Sequence, residues 1–311
     1  MMPADQVQAD GEMRAEEEEI SKSCHIYLIC KRPATYFVND TLVYKDNNLS
    51  VTVGYKINGE EHRFQYDGEF PLLDGAVRLA ISDYPYREIL TYDSDDNEVR
   101  RLPASLVSVK QNSSSPLKKL EVLYIGQSFG NGSRSAHQRL KSHSTLQKIL
   151  ADSAHKYPDS EVSVLMFKFE PYRLLMSFDG ISKDTITGKK DKERFISIQE
   201  NPLSLKQQVG LVEASLIRYF QPKYNDKFKL IFPSPKVKLL KECFKLDFSG
   251  LVIEINSEEL RFELFSPTRE SKMHHISNID IVSDKSRASF FYITGRSGET
   301  VKFNDVIEPS A

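Results

Sequence analysis

The sequence predicts an α+β protein with a small, mostly antiparallel sheet flanked by helices, interrupted by one β-rich segment and followed by a second. Two segments, at about 135–155 and 205–220, carry apolar residues at helical spacing behind a capping box. Short, apolar, β-prone runs precede and separate these helices. The flanking segments, 33–118 and 233–311, combine strand-like runs with glycine turns, which is typical of hairpins.

Composition bounds the class of protein. The 311 residues are 28% charged and 40% hydrophobic, as in globular proteins, and the net charge of -2 means that any nucleic-acid-binding surface must be local. Three cysteines without C-x-x-C spacing favour reduced thiols over a disulfide framework or a zinc knuckle. No apolar run approaches a membrane span, and the first twenty residues lack a signal-peptide core. We therefore expect a cytoplasmic protein without membrane partners.

Changes in composition along the chain predict four parts. Residues 1–20 are acidic and without apolar periodicity, which predicts a disordered tail. Residues 21–32 and 119–232 are expected to form one domain, with 33–118 as a β-rich insertion or N-terminal module and 233–311 as a C-terminal β-rich module. Within the insertion, Asn58-Gly59 predicts a type I′ hairpin turn. In the C-terminal part, two β-prone runs flank 256–259 and two more flank the glycine turn at 295–298.

Each of the two helices has a start signal. Ser135 and Gln138 form a capping box for the first, and Ser204 and Gln207 form one for the second. The apolar stripe of the second helix is Leu205, Val209, Val212, Leu216 and Phe220. Pro222 then ends this helix.

Four residues on these elements could perform phosphate chemistry. Tyr124 ends the strand KLEVLYIG, just before a loop rich in glycine and serine that suits close approach to a phosphodiester. Arg139 and His143 are spaced i, i+4 and project from one helix face, where a guanidinium could grip a phosphate. Glu213 lies at the border of the apolar stripe. There its carboxylate could be an oxygen ligand for a metal or one partner of a surface ion pair. Taken singly, each residue is more often structural.

Three motifs in order resemble the GIY-YIG nuclease family. They are YIGQS (residues 124–128), RLKSH (139–143) and the run EASLIRYFQPKYN (213–225). The twelve-residue step from Glu213 to Asn225, with a proline between, is the most specific part. The resemblance implies the fold predicted above and a metal-dependent endonuclease that hydrolyses DNA. It also favours a role in phage defence or restriction.

The resemblance also implies a role for each matching residue. Glu213 would hold one Mg²⁺ or Mn²⁺, and Arg139, with His143 four residues on, would contact the scissile phosphate. Tyr124 would position the attacking water or the substrate. Asn225 would support the site, and Gln127 stands where a polar residue near the phosphate is common.

The first motif of the family, GIY, is missing from its usual place just before YIG. That motif supplies a second tyrosine, proposed as the general base. The best candidate is Tyr27 in HIYLI, which requires residues 33–118 to be inserted between two neighbouring strands of one sheet. Tyr55 is a rival, although the Asn58-Gly59 turn already places it in a local hairpin.

DNA binding needs cations, and between 218 and 241 seven Lys or Arg stand against one Asp. Lys223 and Lys227 belong to this run, and Lys141 lies beside the predicted phosphate contact. A lysine-rich loop at 180–200 could extend the track. Two alternatives stay open: a catalytically weak or inactive nucleic-acid-binding or scaffold subunit of a larger complex, and β-rich modules that bind a protein partner.

Overall fold

The computed structural model describes nine stretches of the chain and six single positions. The stretches are residues 2–4, 15–108, 115–128, 144–170, 203–234, 237–241, 250–281, 292–294 and 300–302; the single positions are Arg173, Glu193, Ile196, Glu200, Cys243 and Phe248.

The described elements follow an α+β order, which confirms the predicted class. The strands are β1 (Met2–Pro3), β2 (Ile26–Pro33), β3 (Thr35–Phe37), β4 (Val43–Lys45), β5 (Asn48–Ile57), β6 (Glu60–Glu69), β7 (Arg78–Ile81), β8 (Glu88–Tyr92), β9 (Glu98–Pro103), β10 (Lys119–Gln127), β11 (Ser160–Phe167), β12 (Gly250–Asn256), β13 (Glu263–Ser266), β14 (Arg269–Lys272), β15 (His274–Asp280), β16 (Tyr292–Thr294) and β17 (Thr300–Lys302). The α-helices are α1 (Ala15–Ser23), α2 (Ala104–Val107), α3 (Ser144–Lys156) and α4 (Leu205–Phe220). None of these helices combines the length and apolar character of a membrane-spanning segment.

A six-stranded sheet in the order β1-β11-β2-β10-β13-β14 forms the centre. Its pairs are antiparallel except β10 with β13, which is parallel. Strand β2 therefore pairs directly with β10, although residues 34–118 lie between them in the sequence. Most of that intervening segment forms two further sheets, β3-β5-β4 with β6 beside β5, and β7-β8-β9.

The two faces of the central sheet are covered by different helices. Because successive side chains of a strand point to opposite faces, Tyr27 and Ile29 face one side and Ile26, Leu28 and Cys30 face the other. The first side packs with α3 and the second with α4. We call these the α3 face and the α4 face. The intervening β-sheets have a core of their own around Phe37, Leu49, Val51, Val53 and Ile89.

Arg32 fastens the intervening segment to the central sheet. Its side chain is fully buried, and its Nε donates to Glu161 Oε1 at 2.7 Å. Its two terminal nitrogens donate to the carbonyls of Leu117 and Ser105, each at 3.1 Å. A buried guanidinium satisfied in this way is costly to disturb, because its partners would lose their hydrogen bonds in a dry interior.

Two local predictions are confirmed. Asn58 and Gly59 both have positive φ, 52° and 83°, in the turn that joins β5 to β6. Ser204 and Gln207 form the complete capping box at the start of α4, and Gln221 ends that helix in the left-handed conformation.

The structure differs from the sequence predictions at both ends of the chain. Residues 1–20 were expected as a disordered tail, whereas Met2–Pro3 pairs with β11 and Ala15–Ser23 is helical; residues 5–14 lie outside the described part. Ala4 is fully buried on the α3 face, where it clusters with Val162 and Val164 of β11, so this apolar residue packs on the sheet although acidic residues follow it in the sequence.

In the C-terminal part, the run that contains β12 does not pair with the run that contains β13. Strand β12 pairs with β15, and β13 adds to the central sheet beside β10. The second predicted hairpin is present, since β16 pairs with β17.

Candidate functional site

Tyr27 and Tyr124 lie next to each other on the paired strands β2 and β10. The register places Gly126 opposite Tyr27 and Ile29 opposite Tyr124, so both rings point to the α3 face. Their ring centroids are 6.2 Å apart and the planes are inclined by 35°. Tyr27 is 1% exposed and Tyr124 is half-buried, so the pair closes the core at this end of the sheet.

Gly126 makes this approach possible. A Cβ atom at Gly126 would lie 2.5 Å from the Cζ and hydroxyl oxygen of Tyr27 and 2.9 Å from Cε1 of Tyr124. These distances are shorter than van der Waals contact, so both rings occupy the space that a side chain would need. A glycine inside a strand often signals such an approach, and that signal was present in YIGQS but was not used in the sequence prediction.

The Asn225 side chain ties the end of α4 to the strand that carries Tyr124. Its Oδ1 accepts from the Ile125 N–H at 2.9 Å, and its Nδ2 donates to the Ile125 carbonyl at 2.8 Å. The backbone N–H of Tyr224 donates to the Leu123 carbonyl at 3.0 Å. Asn225 is buried, and these bonds satisfy backbone groups of β10 beyond the residues that pair with β13.

Glu213 is half-buried in the middle of α4. Its neighbours one turn away, Val209, Gly210, Leu216 and Ile217, are all buried, as expected for a residue at the border of the apolar stripe. Helix α4 packs on the α4 face, whereas the tyrosine pair points to the α3 face. Glu213 and the tyrosine pair therefore belong to elements on opposite faces, and the chain from α4 reaches β10 at Leu123 and Ile125.

The metal ligand that the resemblance implies is the single carboxylate of Glu213. Within the described ranges, no group of three or more His, Cys, Asp or Glu is placed to hold a metal ion. Mg²⁺ commonly takes only one or two protein carboxylates and keeps several waters, so one half-buried carboxylate at Glu213 fits a water-rich site of this kind.

Three predicted residues, Arg139, Lys141 and His143, lie outside the described residues. Gln127 is half-buried at the end of β10, opposite Ile26. The next residue, Ser128, fixes this end of the strand by donating from Oγ to the Cys24 carbonyl at 2.6 Å.

Lys223 belongs to a polar cluster that the sequence did not predict. Its Nζ donates to Tyr157 Oη at 3.0 Å, and this bond lowers the pKa of the Tyr157 phenol and raises the pKa of Lys223. Beside it, Tyr224 donates to Asp152 Oδ2 at 2.8 Å; burial, followed by this bond, raises the pKa of Tyr224 to about 12. Lys223 stays exposed and charged, so it remains able to bind a phosphate.

Lys227, the other predicted substrate-binding lysine, is also exposed, and its Nζ lies 4.7 Å from the centre of the Phe228 ring. Tyr55, the rival for the first motif, stacks on His62 in the β5–β6 hairpin with ring centroids 5.2 Å apart. It is therefore committed to that hairpin, away from β10.

Comparison of the chain with protein-family models, with curated proteins and with solved structures finds no match.

Proposed function

We propose that this chain is a divalent-metal-dependent endonuclease that hydrolyses DNA phosphodiester bonds at the β2–β10 end of its central sheet. The proposal uses Tyr27 as the first-motif tyrosine, and residues 34–118 as an insertion within the nuclease sheet. A GIY-YIG-like arrangement is part of the proposal and rests on the three motifs in their order along the chain.

The observation that carries it is the adjacency of Tyr27 and Tyr124. These residues are 97 positions apart in the sequence, yet their rings lie 6.2 Å apart across one strand pair. Asn225, twelve positions beyond Glu213, is hydrogen-bonded to the residue that follows Tyr124. Three of the motif residues that the resemblance singled out thus meet at one end of one sheet.

In the proposed reaction a water oxygen forms a bond to phosphorus while the opposite P–O bond breaks, and the leaving oxygen takes a proton from solvent. Tyr124 would position the attacking water, Tyr27 in its phenolate form would accept the proton of that water, and Arg139 and His143 would neutralise charge on the phosphate oxygens. Gln127, Lys141, Lys223 and Lys227 would hold the flanking phosphates. When bound at Glu213, Mg²⁺ or Mn²⁺ would supply further stabilisation of this negative charge.

The test measures the rate of metal-dependent DNA cleavage by the Glu213→Gln variant. Loss of one transition-state contact lowers the rate by about 10²-fold to 10³-fold, so we expect a drop of this size on DNA with Mg²⁺ or Mn²⁺. Glu258→Gln, an exposed carboxylate in a turn, is the matched control and should cleave at the wild-type rate. Equal activity of the Glu213→Gln variant and the wild type would refute the assignment.

A second candidate is a DNA-binding or scaffold subunit without turnover. Two observations favour it: Tyr27 is 1% exposed, so a substrate reaches its hydroxyl only if covering residues move, and α4 packs on the face opposite the tyrosine pair. Binding of DNA with no metal-dependent cleavage in any strand form would select this candidate.

A further inference from the structure

A short loop directly after Asn225 presents two adjacent aliphatic side chains to solvent. Leu230 is 77% exposed and Ile231 is 58% exposed. Exposed aliphatic residues are ordinary when they occur singly, but two large neighbours at the tip of a tight loop form a small apolar projection.

Buried side chains and hydrogen bonds hold the loop in place. Phe228 and Phe232 are buried on either side of the tip, with their rings edge to face and centroids 6.0 Å apart. The Phe232 N–H donates to the Phe228 carbonyl at 3.3 Å, and Arg218 on α4 donates to the Lys229 carbonyl at 2.9 Å. The apolar tip is therefore anchored to the helix that carries Glu213.

The chain segment that contains this tip is rich in positive charge. Among the described residues of the 223–241 segment, four lysines are exposed: Lys223, Lys227, Lys238 and Lys241. Lys229 is half-exposed, and Asp226 is the one exposed acid among these described residues. We call these lysines the rim; their charge is complementary to a polyanion, although the whole chain has a net charge of -2.

We propose that the loop 227–231 is a wedge that enters the minor groove of duplex DNA, with Leu230 and Ile231 inserted at a base step and the lysines on the flanking phosphates. Aliphatic side chains used in this way unstack one step and kink the duplex by about 20–90°. The inference rests on the proposed function, because it specifies duplex DNA as the form of the substrate. It also assigns Leu230 and Ile231 a role in bending that duplex.

The chemistry of the tip favours duplex DNA over two other anionic partners. Single-stranded DNA is held by stacking on aromatic rings, whereas the exposed tip is aliphatic and its phenylalanines are buried. A membrane surface needs a broad apolar helix face or a lipid chain, which two side chains do not provide. A minor-groove wedge needs only one or two such residues.

The experiment compares the wild type with the double variant Leu230→Ala/Ile231→Ala. Binding and bending are measured in EDTA, on a 30-base-pair duplex that carries a fluorophore pair at its ends. We expect the wild type to shorten the end-to-end distance, and the variant to bind about tenfold more weakly and to leave the duplex straight. Val43→Ala/Val77→Ala, which changes two exposed aliphatic residues of the intervening segment, is the matched control and should behave as wild type.

Lys227→Ala tests the rim separately. It should weaken binding to all duplexes alike and reduce the slope of log affinity against log salt by about 0.9, while the bend persists.

The wedge is overturned if the double variant binds and bends as the wild type does, or if the wild type binds anionic phosphatidylserine vesicles and no duplex. Cleavage with Mg²⁺ and its dependence on Glu213 are scored in parallel. Wedge-dependent bending without any cleavage would leave this inference standing and remove the nuclease proposal. Normal cleavage together with unchanged binding and bending in the double variant would remove this inference and leave the nuclease proposal standing.

Discussion

The close approach of the Tyr27 and Tyr124 rings depends on the missing side chain at Gly126. The space above its Cα holds the Tyr27 hydroxyl, and both phenol rings are packed on the α3 face. A buried ring cannot move aside as an exposed chain end can, so the strand backbone or the tyrosine pair must shift if a methyl group is added.

Gly126→Ala is therefore expected to lower the free energy of unfolding by about 1–3 kcal/mol, as overpacking in a core does. Urea denaturation followed by circular dichroism measures it. Gly210→Ala on α4 is the matched control, because its Cβ would meet only the flexible end of Leu239 at 2.9 Å and alanine favours a helix. Equal effects of the two substitutions would contradict the close-packing interpretation.

Asn225→Ala removes both hydrogen bonds to Ile125 and leaves a buried N–H and a buried carbonyl without partners. We expect a loss of about 2–6 kcal/mol in the free energy of unfolding, since each of the two orphaned groups costs about 1–3 kcal/mol. Urea denaturation again provides the value. A loss below 0.5 kcal/mol would mean that water replaces the side chain.

Asn225→Asp gives the same site a pH dependence. The new carboxylate would face the Ile125 carbonyl, so burial and repulsion should raise its folded-state pKa above the unfolded value of about 3.9. The protonated acid can donate to that carbonyl, so its contribution is fully present below the unfolded pKa and is lost as pH rises through the folded pKa. Stability relative to wild type should therefore be greatest below about pH 4 and fall as the pH is raised above it; a difference that does not change with pH would contradict the geometry.

Among the elements, α4 joins the proposed chemistry to the fold. Its start is fixed by a complete capping box, and its last turns are fixed by packing on β2 and β10 and by the Asn225 bonds that follow. Its position therefore depends on local sequence at one end and on long-range contacts at the other.

Ser204→Ala should lower the free energy of unfolding by about 1 kcal/mol, because the Gln207 N–H loses its acceptor. Differential scanning calorimetry detects this as a decrease of a few degrees in Tm. Ser204→Asp, which keeps an acceptor, is the control and should restore most of the loss; failure to do so would assign the effect to another contact.

Features set by local sequence could be predicted, whereas features set by long-range contacts could not. The Asn58-Gly59 turn and the Ser204 box are set by residues one to three positions apart, so their sequences were sufficient. The Asn225 clamp on Ile125 joins residues 100 positions apart, and Gly126 opposes Tyr27 across 99 positions. The glycine in YIGQS signals a close approach, but no local sequence signal identifies the distant partner in either pair. The adjacency of Tyr27 to Tyr124 could be proposed only because the motif required a tyrosine.

For the whole molecule, the C-terminal part is built into the central sheet. Strand β13 pairs with β10 in parallel, and β12 and β15 pack against α4. Parallel pairs need a crossover connection, which here passes through α3, β11, α4 and β12 before the chain returns.

Deletion of residues 246–311 should therefore unfold the central sheet, seen as loss of the cooperative thermal transition by circular dichroism. Deletion of 284–311 removes β16 and β17, which among the described strands pair only with each other, and is the matched control that should keep the transition. A cooperative transition in the longer deletion would show that β13 is dispensable.

The pairing of β2 with β10 around a long intervening segment also has a consequence for the order of folding. Closing an unfolded loop of about one hundred residues costs about 2 kcal/mol more than closing one of ten, which slows strand association. The β5–β6 hairpin forms from neighbours in sequence, and the carbonyls of Ser105 and Leu117 end up on the Arg32 guanidinium. If the intervening sheets fold first, they bring the two ends of the loop together, so the segment between the tyrosines would serve the nascent chain as an internal template for assembling the sheet.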